Sequence, residues 1–233
     1  MLLLGETASG DIAPYIEYFG AGSSLPRDMA LFAARLNADA FQKWEENADV
    51  LIRECEQLAD NGSSALFEVK AADKMSGFIP ILYADAKTQS VSSESLALLY
   101  DAKPFVICKE DAAQLVLLLC GKSNTLTLTA ENYNAKTQSV SIARSANKKS
   151  LDVRLNAKLL YVTENGEVLK GERLEAALTA LNSHTNELLA QLNSLTFESE
   201  RDIFGFSWWY SMRQTAGEKP ESVSLSCELQ ADE

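Results

Sequence analysis

LDVRLNAKLLY, residues 151–161, decides the fold, because apolar and polar side chains alternate along it from Leu151 to Leu159. In an extended chain the apolar side chains point to one side and the polar ones to the other. Shorter stretches at 126–128 and 140–142 alternate in the same way. This pattern is typical of an antiparallel sheet with one buried and one wet face. The predicted buried set of the longest strand is Leu151, Val153, Leu155, Ala157, Leu159 and Tyr161.

A long amphipathic helix is predicted after these strands. Its apolar residues recur at steps of four and three, which places them on one stripe. The stripe is Leu174, Leu178, Leu181, Thr185, Leu188, Leu192 and Leu195. Such a stripe needs a partner, and the apolar face of the sheet is the partner we predict. The fold class is therefore α+β, with a mainly antiparallel sheet and helices packed on one of its faces.

The residues before this region predict a smaller mixed α/β region. The expected elements are a strand at 2–4, a helix at 12–19, a strand at 29–36, a helix at 41–58 and a strand at 78–83. Pro80 suggests that the last of these is an edge strand. Residues 84–95 are polar and predict a linker. We therefore divide the chain into a smaller α/β domain at 1–90 and a C-terminal α+β domain at 91–233.

Composition excludes several classes of function. The formal charge is −12, and nucleic-acid binding depends on Lys and Arg neutralising phosphates, so a DNA or RNA partner is not expected. The same charge argues against direct binding to an anionic lipid surface. The longest apolar run, 115–120, is too short to cross a bilayer. The four cysteines form no CxxC pair, so neither a metal nor a cofactor is expected. Cys108 and Cys120 sit among apolar neighbours and predict buried free thiols.

Catalytic signatures are missing from the sequence. The single histidine, His184, lies at the edge of the helical stripe and predicts a half-buried packing residue. No GxSxG, HExxH, P-loop or GxGxxG motif occurs. Neighbouring acidic residues predict a solvated surface. We therefore expect no enzymatic activity and no catalytic residue.

An aromatic cluster follows the long helix and is the one candidate site. Asp202, Phe206, Trp208 and Trp209 are its candidate residues for a partner or ligand surface. Indole rings bury a large area and often serve interfaces. The alternatives are that the rings belong to the core, and that Asp202 caps or anchors the segment.

Several stretches together resemble the Ger(x)C family of spore germination lipoproteins. ALLYDAKPFVI at 97–107 looks like the family's strand, turn and second strand, and 110–121 looks like its acid-opened, glycine-ended helix. DIFGF at 202–206 resembles the aromatic-glycine motif that ends the family's long helix, and it is the most specific match. LLLGE at 2–6, followed by Arg27, is similar to the start of the family's middle region.

The resemblance implies a C-type subunit of a germinant receptor that acts in nutrient-triggered germination. It implies contacts with A- and B-type membrane subunits, a role as scaffold or signal relay, and neither catalysis nor a known cofactor. The family's signal sequence and lipid-attached cysteine are missing here, so the resemblance implies an N-terminally truncated lipoprotein from the outer face of the spore inner membrane.

Two other functions stay open. An extracytoplasmic module that binds a small ligand or a cell-wall fragment predicts a cleft lined by Trp208, Trp209 and nearby acids. A carboxylate-dependent hydrolase predicts two carboxyl groups facing each other across a cleft, and it ranks last.

Overall fold

The chain divides into two compact units in this computed structural model, Met1–Ala113 and Gln114–Glu233. The described residues are 2–5, 8–21, 29–35, 49, 52–53, 56–57, 68–69, 72–85, 90–214 and 218–231. The helix predicted at 41–58 lies largely outside them. Helices and sheets occupy most of the described chain, and the α+β class is confirmed.

A mixed five-stranded sheet forms the first unit. Its strands are β1 (Leu2–Leu4), β2 (Leu31–Arg35), β3 (Gly77–Asp85), β4 (Ser90–Tyr100) and β5 (Lys103–Lys109), paired in that order. The first three are mutually parallel, and β4 and β5 add antiparallel pairs. Side chains on both faces of β3 and β4 are buried, as the apolar runs in their sequences require.

Helix α1 (Ala13–Ala21) packs on one face of this sheet. Ile12, just before the helix, and Ile16 within it are fully buried in the same core as Leu31, Ile79 and Leu99. Asp11 accepts a hydrogen bond from the Ala13 N–H at 3.2 Å, which satisfies one of the free amides at the start of the helix. The predicted strand at 2–4 and helix at 12–19 are therefore confirmed.

Two expectations about this unit differ from the structure. The stretch predicted as a linker contains the end of β3 and the start of β4, because the strands extend beyond their apolar residues into polar ones. β4 and β5 complete the first sheet, so the division between the units lies after Ala113 and not after residue 90. Polar composition alone did not distinguish a hairpin from a linker.

Pro80 also lies elsewhere than predicted. β3 is an interior strand, paired with β2 on one side and β4 on the other. The pairing with β2 begins at Ile81, and Pro80 is opposite Leu96 of β4. Since proline lacks an N–H, its place just before the β2 pairing means that the missing donor does not interrupt that ladder.

Helix α2 (Glu110–Leu119) follows β5 and ends before Gly121, whose φ of 71° glycine adopts without strain. The second sheet then contains β6 (Thr127–Ala130), β7 (Tyr133–Ala146), β8 (Ser150–Glu164) and β10 (Ser222–Ala231), in the order β10-β8-β7-β6. The short β9 (Glu167–Val168) pairs with β8 through the predicted turn at Asn165 and Gly166. All pairs except β10 with β8 are antiparallel.

The alternation along β8 is confirmed from Leu151 to Leu159, all of whose inward residues are buried. Tyr161 was predicted to continue the buried set, but it is 42% exposed. The register between β7 and β8 shifts at Thr137, so the alternation is displaced beyond Leu159 and Val162 becomes the next buried residue.

Helix α3 (Glu172–Leu195) buries one stripe on the sheet, as predicted. Leu181, Thr185 and Leu192 are buried members of the expected set. Leu189 is buried in place of Leu188, and Leu195 is 40% exposed. The difference arises because the helix docks through polar side chains as well as leucines.

Three asparagines of α3 bind the backbone of β10, and we call Asn182, Asn186 and Asn193 the edge asparagines. Asn186 accepts the Cys227 N–H at 2.9 Å and donates to the Cys227 carbonyl at 3.0 Å. Asn182 accepts the Leu229 N–H, and Asn193 donates to the Val223 carbonyl, both at 3.0 Å. These side chains take the place of a further strand along the outer edge of the sheet.

Candidate functional site

The predicted site residues lie on and before a short helix, α4 (Phe206–Arg213). Asp202 sits ahead of it, and its two carboxylate oxygens accept the N–H groups of Phe206 at 2.9 Å and Ser207 at 2.6 Å. Negative charge at this end also interacts favourably with the helix dipole. Gly205 precedes the helix with a φ of 67°, a left-handed conformation that glycine adopts without strain. Asp202 therefore fixes where α4 begins.

Two aromatic residues anchor α4 in the second unit. Phe206 and Tyr210, one turn apart, are each 1% exposed. The Tyr210 hydroxyl donates a 2.8 Å hydrogen bond to the carbonyl of Asn147 in the β7–β8 turn. This bond satisfies the polar end of a buried ring and ties the helix to the end of the sheet.

The opposite side of α4 is apolar and open to solvent. Trp208 and Met212 are each 66% exposed, and they lie four residues apart on one helix face. Next to them, two guanidinium groups lie over the ring of Trp209. That of Arg144 is 5.9 Å from the ring centroid, and that of Arg213 is 5.6 Å from it. Both distances are within the range of cation–π attraction.

We call these residues the α4 surface: Trp208, Trp209, Met212, Arg144 and Arg213. A fixed helix that exposes large apolar side chains beside cations is suited to contact with another macromolecule. Tryptophan, methionine and arginine are also the residues enriched where proteins meet.

Each candidate residue from the sequence has a distinct place. Trp208 is exposed and Trp209 is half-buried, so both contribute to the α4 surface. Phe206 belongs to the core, which was the stated alternative, and Asp202 caps the helix. Sequence reasoning missed Met212, although its spacing of four from Trp208 on a helix was visible. It also missed Arg144, whose contact with Trp209 depends on the tertiary fold.

A small cavity of about 170 Å³ lies in the first unit, away from these residues in sequence. Its floor is formed by Ala33, Ile79, Ile81 and Ala97, and its rim includes Ser9 and Ile107. The lining is chiefly apolar. This cavity is a different site from the cleft that a ligand-binding module predicts at Trp208 and Trp209.

The predicted burial is confirmed for Cys108, whereas Cys120 is only partly buried, and Cys227 is buried without having been predicted to be. Burial raises the pKa of the Cys108 thiol to about 11. Burial, with a smaller effect of the Glu228 charge, raises the pKa of the Cys227 thiol to about 12. Within the described residues, no three potential metal ligands come together. None of the described helices has the length and apolar character needed to span a membrane.

Comparison with known proteins gives one informative result. No family model matches the chain, and no curated protein matches it. Among solved structures, the crystal structure of the GerBC protein matches with a TM-score of 0.59 over 98% of this chain and 78% of that one.

This chain has the GerBC fold. The two sequences are 14% identical over the match, so the likeness concerns the fold. The Ger(x)C-like architecture expected from the DIFGF motif and the strand-turn-strand-helix element is therefore confirmed. In this GerBC-like fold the motif at 202–206 has a structural role, since Asp202 and Gly205 set the start of α4.

Proposed function

We propose that this chain is a non-enzymatic lipoprotein subunit of a spore germinant receptor, of the C type. It acts as a scaffold or signal relay in nutrient-triggered germination, through contacts with other proteins. The observation that carries the proposal is the GerBC fold, which extends over 98% of the chain. The folded DIFGF motif supports it further, because that motif is the most specific part of the resemblance to Ger(x)C proteins.

The proposed partners are the A- and B-type membrane subunits of the receptor, and the proposed contact is the α4 surface. Trp208 and Met212 are largely exposed apolar side chains of α4, so a partner that covers them buries a large apolar area. Their backbone is held by Asp202 and Tyr210, so little conformational entropy is lost on binding. These are the properties of an interface centre.

The proposed location is the outer face of the spore inner membrane. A lipid anchor on a segment outside this chain holds the protein there. With a charge of −12, attachment through an acyl chain and through partner subunits accounts for membrane association better than surface charge does.

The test is co-purification. The chain, fused to a lipoprotein signal and anchor, is expressed with A- and B-type subunits from the same genome. We expect capture of both subunits, and we expect Trp208→Ala to lower the recovered amount by about tenfold, because that side chain lies at the centre of the proposed contact. Tyr18→Ala is the matched control, because Tyr18 is a 77% exposed aromatic residue on α1 of the first unit. Failure to capture either subunit, with the folded chain present, contradicts the proposal.

A small-ligand or cell-wall-fragment binding module is the second candidate, and the cavity floored by Ile79 and Ile81 is the observation in its favour. A thermal-shift screen against germinant amino acids, sugars and wall fragments separates the two functions. A ligand that binds only the folded state raises the melting temperature. A concentration-dependent rise with one compound, abolished by Ala97→Leu in the cavity floor, favours the binding module over the scaffold.

A further inference from the structure

The two edges of the second sheet differ in how their outward backbone groups are hydrogen-bonded. The edge asparagines cover part of the β10 edge, where they bond the Val223 C=O, the Cys227 N–H and C=O, and the Leu229 N–H. At the other edge, β6 pairs only with residues 133–136 of β7, which itself continues to Ala146. The loop before β6 extends this cover as far as Val140, whose N–H donates to the Asn124 carbonyl at 2.8 Å.

The hydrogen-bond direction shows which groups the remaining edge presents. In an antiparallel ladder, residues two apart direct both N–H and C=O to the same side. The Val140 N–H points away from β8, and the register is regular from Val140 to Ala146. Asn147 donates to Ser150 across the turn, which gives the same alternation from the other end. Ile142, Arg144 and Ala146 therefore direct their backbone groups outward.

These three residues form what we call the open edge. Within the described part of the chain, no group bonds to their outward N–H and C=O. An exposed row of this kind is a template for an added strand. At the opposite edge of the sheet, side chains bond the outward backbone groups of β10, and the described residues provide no such bonds to Ile142, Arg144 and Ala146.

The side chains beside the open edge are suited to an acidic segment. Ile142 and Arg144 are half-buried on the side that faces the helices, and the buried Nε of Arg144 has no acceptor among the described residues. Arg213 lies over the same Trp209 ring, and Lys148 is exposed in the adjoining turn. Arg154 lies opposite Ala143, on the wet face of the sheet.

One nearby carboxylate is paired with a cation, and another accepts a hydrogen bond from a neutral hydroxyl. Asp152 accepts a hydrogen bond from Ser224 at 2.5 Å, and Glu221 pairs with Lys149 at 2.9 Å. Four cations near the open edge outnumber the one carboxylate that has no cationic partner, so the region is basic on a chain whose formal charge is −12. Charge complementarity selects an anionic occupant.

We propose that the open edge binds an extended, acidic segment of a partner protein, which adds a strand to β7. Backbone bonds to Ile142, Arg144 and Ala146 supply the affinity, and carboxylates at alternate positions reach Arg144. This inference concerns the strand edge and does not depend on a role in germination.

Arg144 has an alternative role that predicts the opposite behaviour of the open edge. An inward-pointing charge on an edge strand can protect it from unwanted pairing. In that case acidic peptides do not bind, and replacing Arg144 by an uncharged residue causes self-association. In the proposed case Arg144 attracts the added strand.

The test uses the whole ¹⁵N-labelled chain and a synthetic peptide of alternating Glu and Val, with a Lys-Val peptide as its charge control. At saturating Glu-Val peptide we expect amide exchange at Ile142, Arg144 and Ala146 to slow by about tenfold, since exchange then requires release of the peptide. The Lys-Val peptide leaves the rates unchanged. Equal effects of both peptides, or none, overturn the proposal.

Variants separate the edge from general charge effects. Arg144→Glu abolishes the protection, whereas Lys136→Glu, the same charge change on the β6-paired end of β7, preserves it. Ile142→Pro removes one outward N–H without touching the β8 ladder, and Ile142→Ala is its control. Protection that appears without peptide and rises with protein concentration identifies a second copy of this chain as the occupant and contradicts an acidic partner.

Discussion

Asp202 shows how one side chain positions the α4 surface. Its carboxylate accepts the first two N–H groups of α4, which otherwise lack partners. We expect Asp202→Ala to lower the free energy of unfolding by about 1 kcal/mol, the usual cost of losing a helix cap. Asp202→Asn keeps one acceptor and loses less. Urea unfolding measures both, and equal stability of Asp202→Ala and the parent protein contradicts the capping role.

The buried thiols give the fold a pH dependence at its alkaline limit. Cys108 and Cys227 have pKa values of about 11 and about 12 in the folded state, above the ordinary 9.0 that they regain on unfolding. Their contribution to stability is fully present below pH 9 and is lost as the pH rises toward these raised values, because the unfolded chain releases the protons first.

Alkylation with iodoacetamide at pH 8 checks these two residues, since the thiolate is the reactive form. We expect mass-spectrometric peptide mapping to find Cys108 and Cys227 unlabelled in the native protein and labelled in urea. Rapid labelling of either thiol under native conditions contradicts its burial.

At the scale of elements, α3 docks on β10 through amides. Replacing Asn186 by Leu leaves the N–H and C=O of Cys227 without partners, and a buried unsatisfied group costs about 1–3 kcal/mol. We expect the free energy of unfolding to fall by that amount, measured by urea titration. Ser183→Ala is the control, because Ser183 bonds only Glu187 on the exposed side of the same helix. A loss no greater than that of the control contradicts the docking role.

The elements of the second unit were largely predictable because each has its own periodicity. β8 alternates and α3 repeats its leucines, and both patterns survive in the structure. The edge asparagines could not be predicted, since a helix-borne amide gives no periodic signal and its partner is a backbone thirty or more residues away. The same holds for Arg144 at Trp209, which are joined only by tertiary structure.

The first unit was harder to predict for a physical reason. Its sheet is buried on both faces at β3 and β4, so its strands lack alternation, and the polar ends of these strands look like a linker. Of the candidate site, the sequence predicted the aromatic segment and the alternative that Phe206 is core. Which of its rings is exposed depends on how α4 is anchored by Tyr210.

At the scale of the whole molecule, charge decides how the chain meets a membrane. Its 33 acidic residues outnumber its 21 basic ones, so an anionic lipid surface repels it overall, while the basic residues near α4 are locally attractive. Each Lys or Arg at such a surface contributes about 1 kcal/mol of attraction. The few basic residues at α4 are far outnumbered by the acidic residues of the whole chain, whose repulsion therefore dominates.

We therefore expect the unanchored chain to stay in the supernatant when sedimented with phosphatidylserine-containing vesicles at low salt, where electrostatic effects are largest. A polyhistidine-tagged chain on vesicles that carry a nickel-chelating lipid is the control for loss of protein, and it should pellet. Salt-sensitive binding of the untagged chain that Arg213→Glu abolishes contradicts this expectation. Since Arg213 belongs to the α4 surface, that result would also identify lipid as the occupant of this surface. A lipid anchor would then not be required, because the protein's own charge would hold it at the membrane.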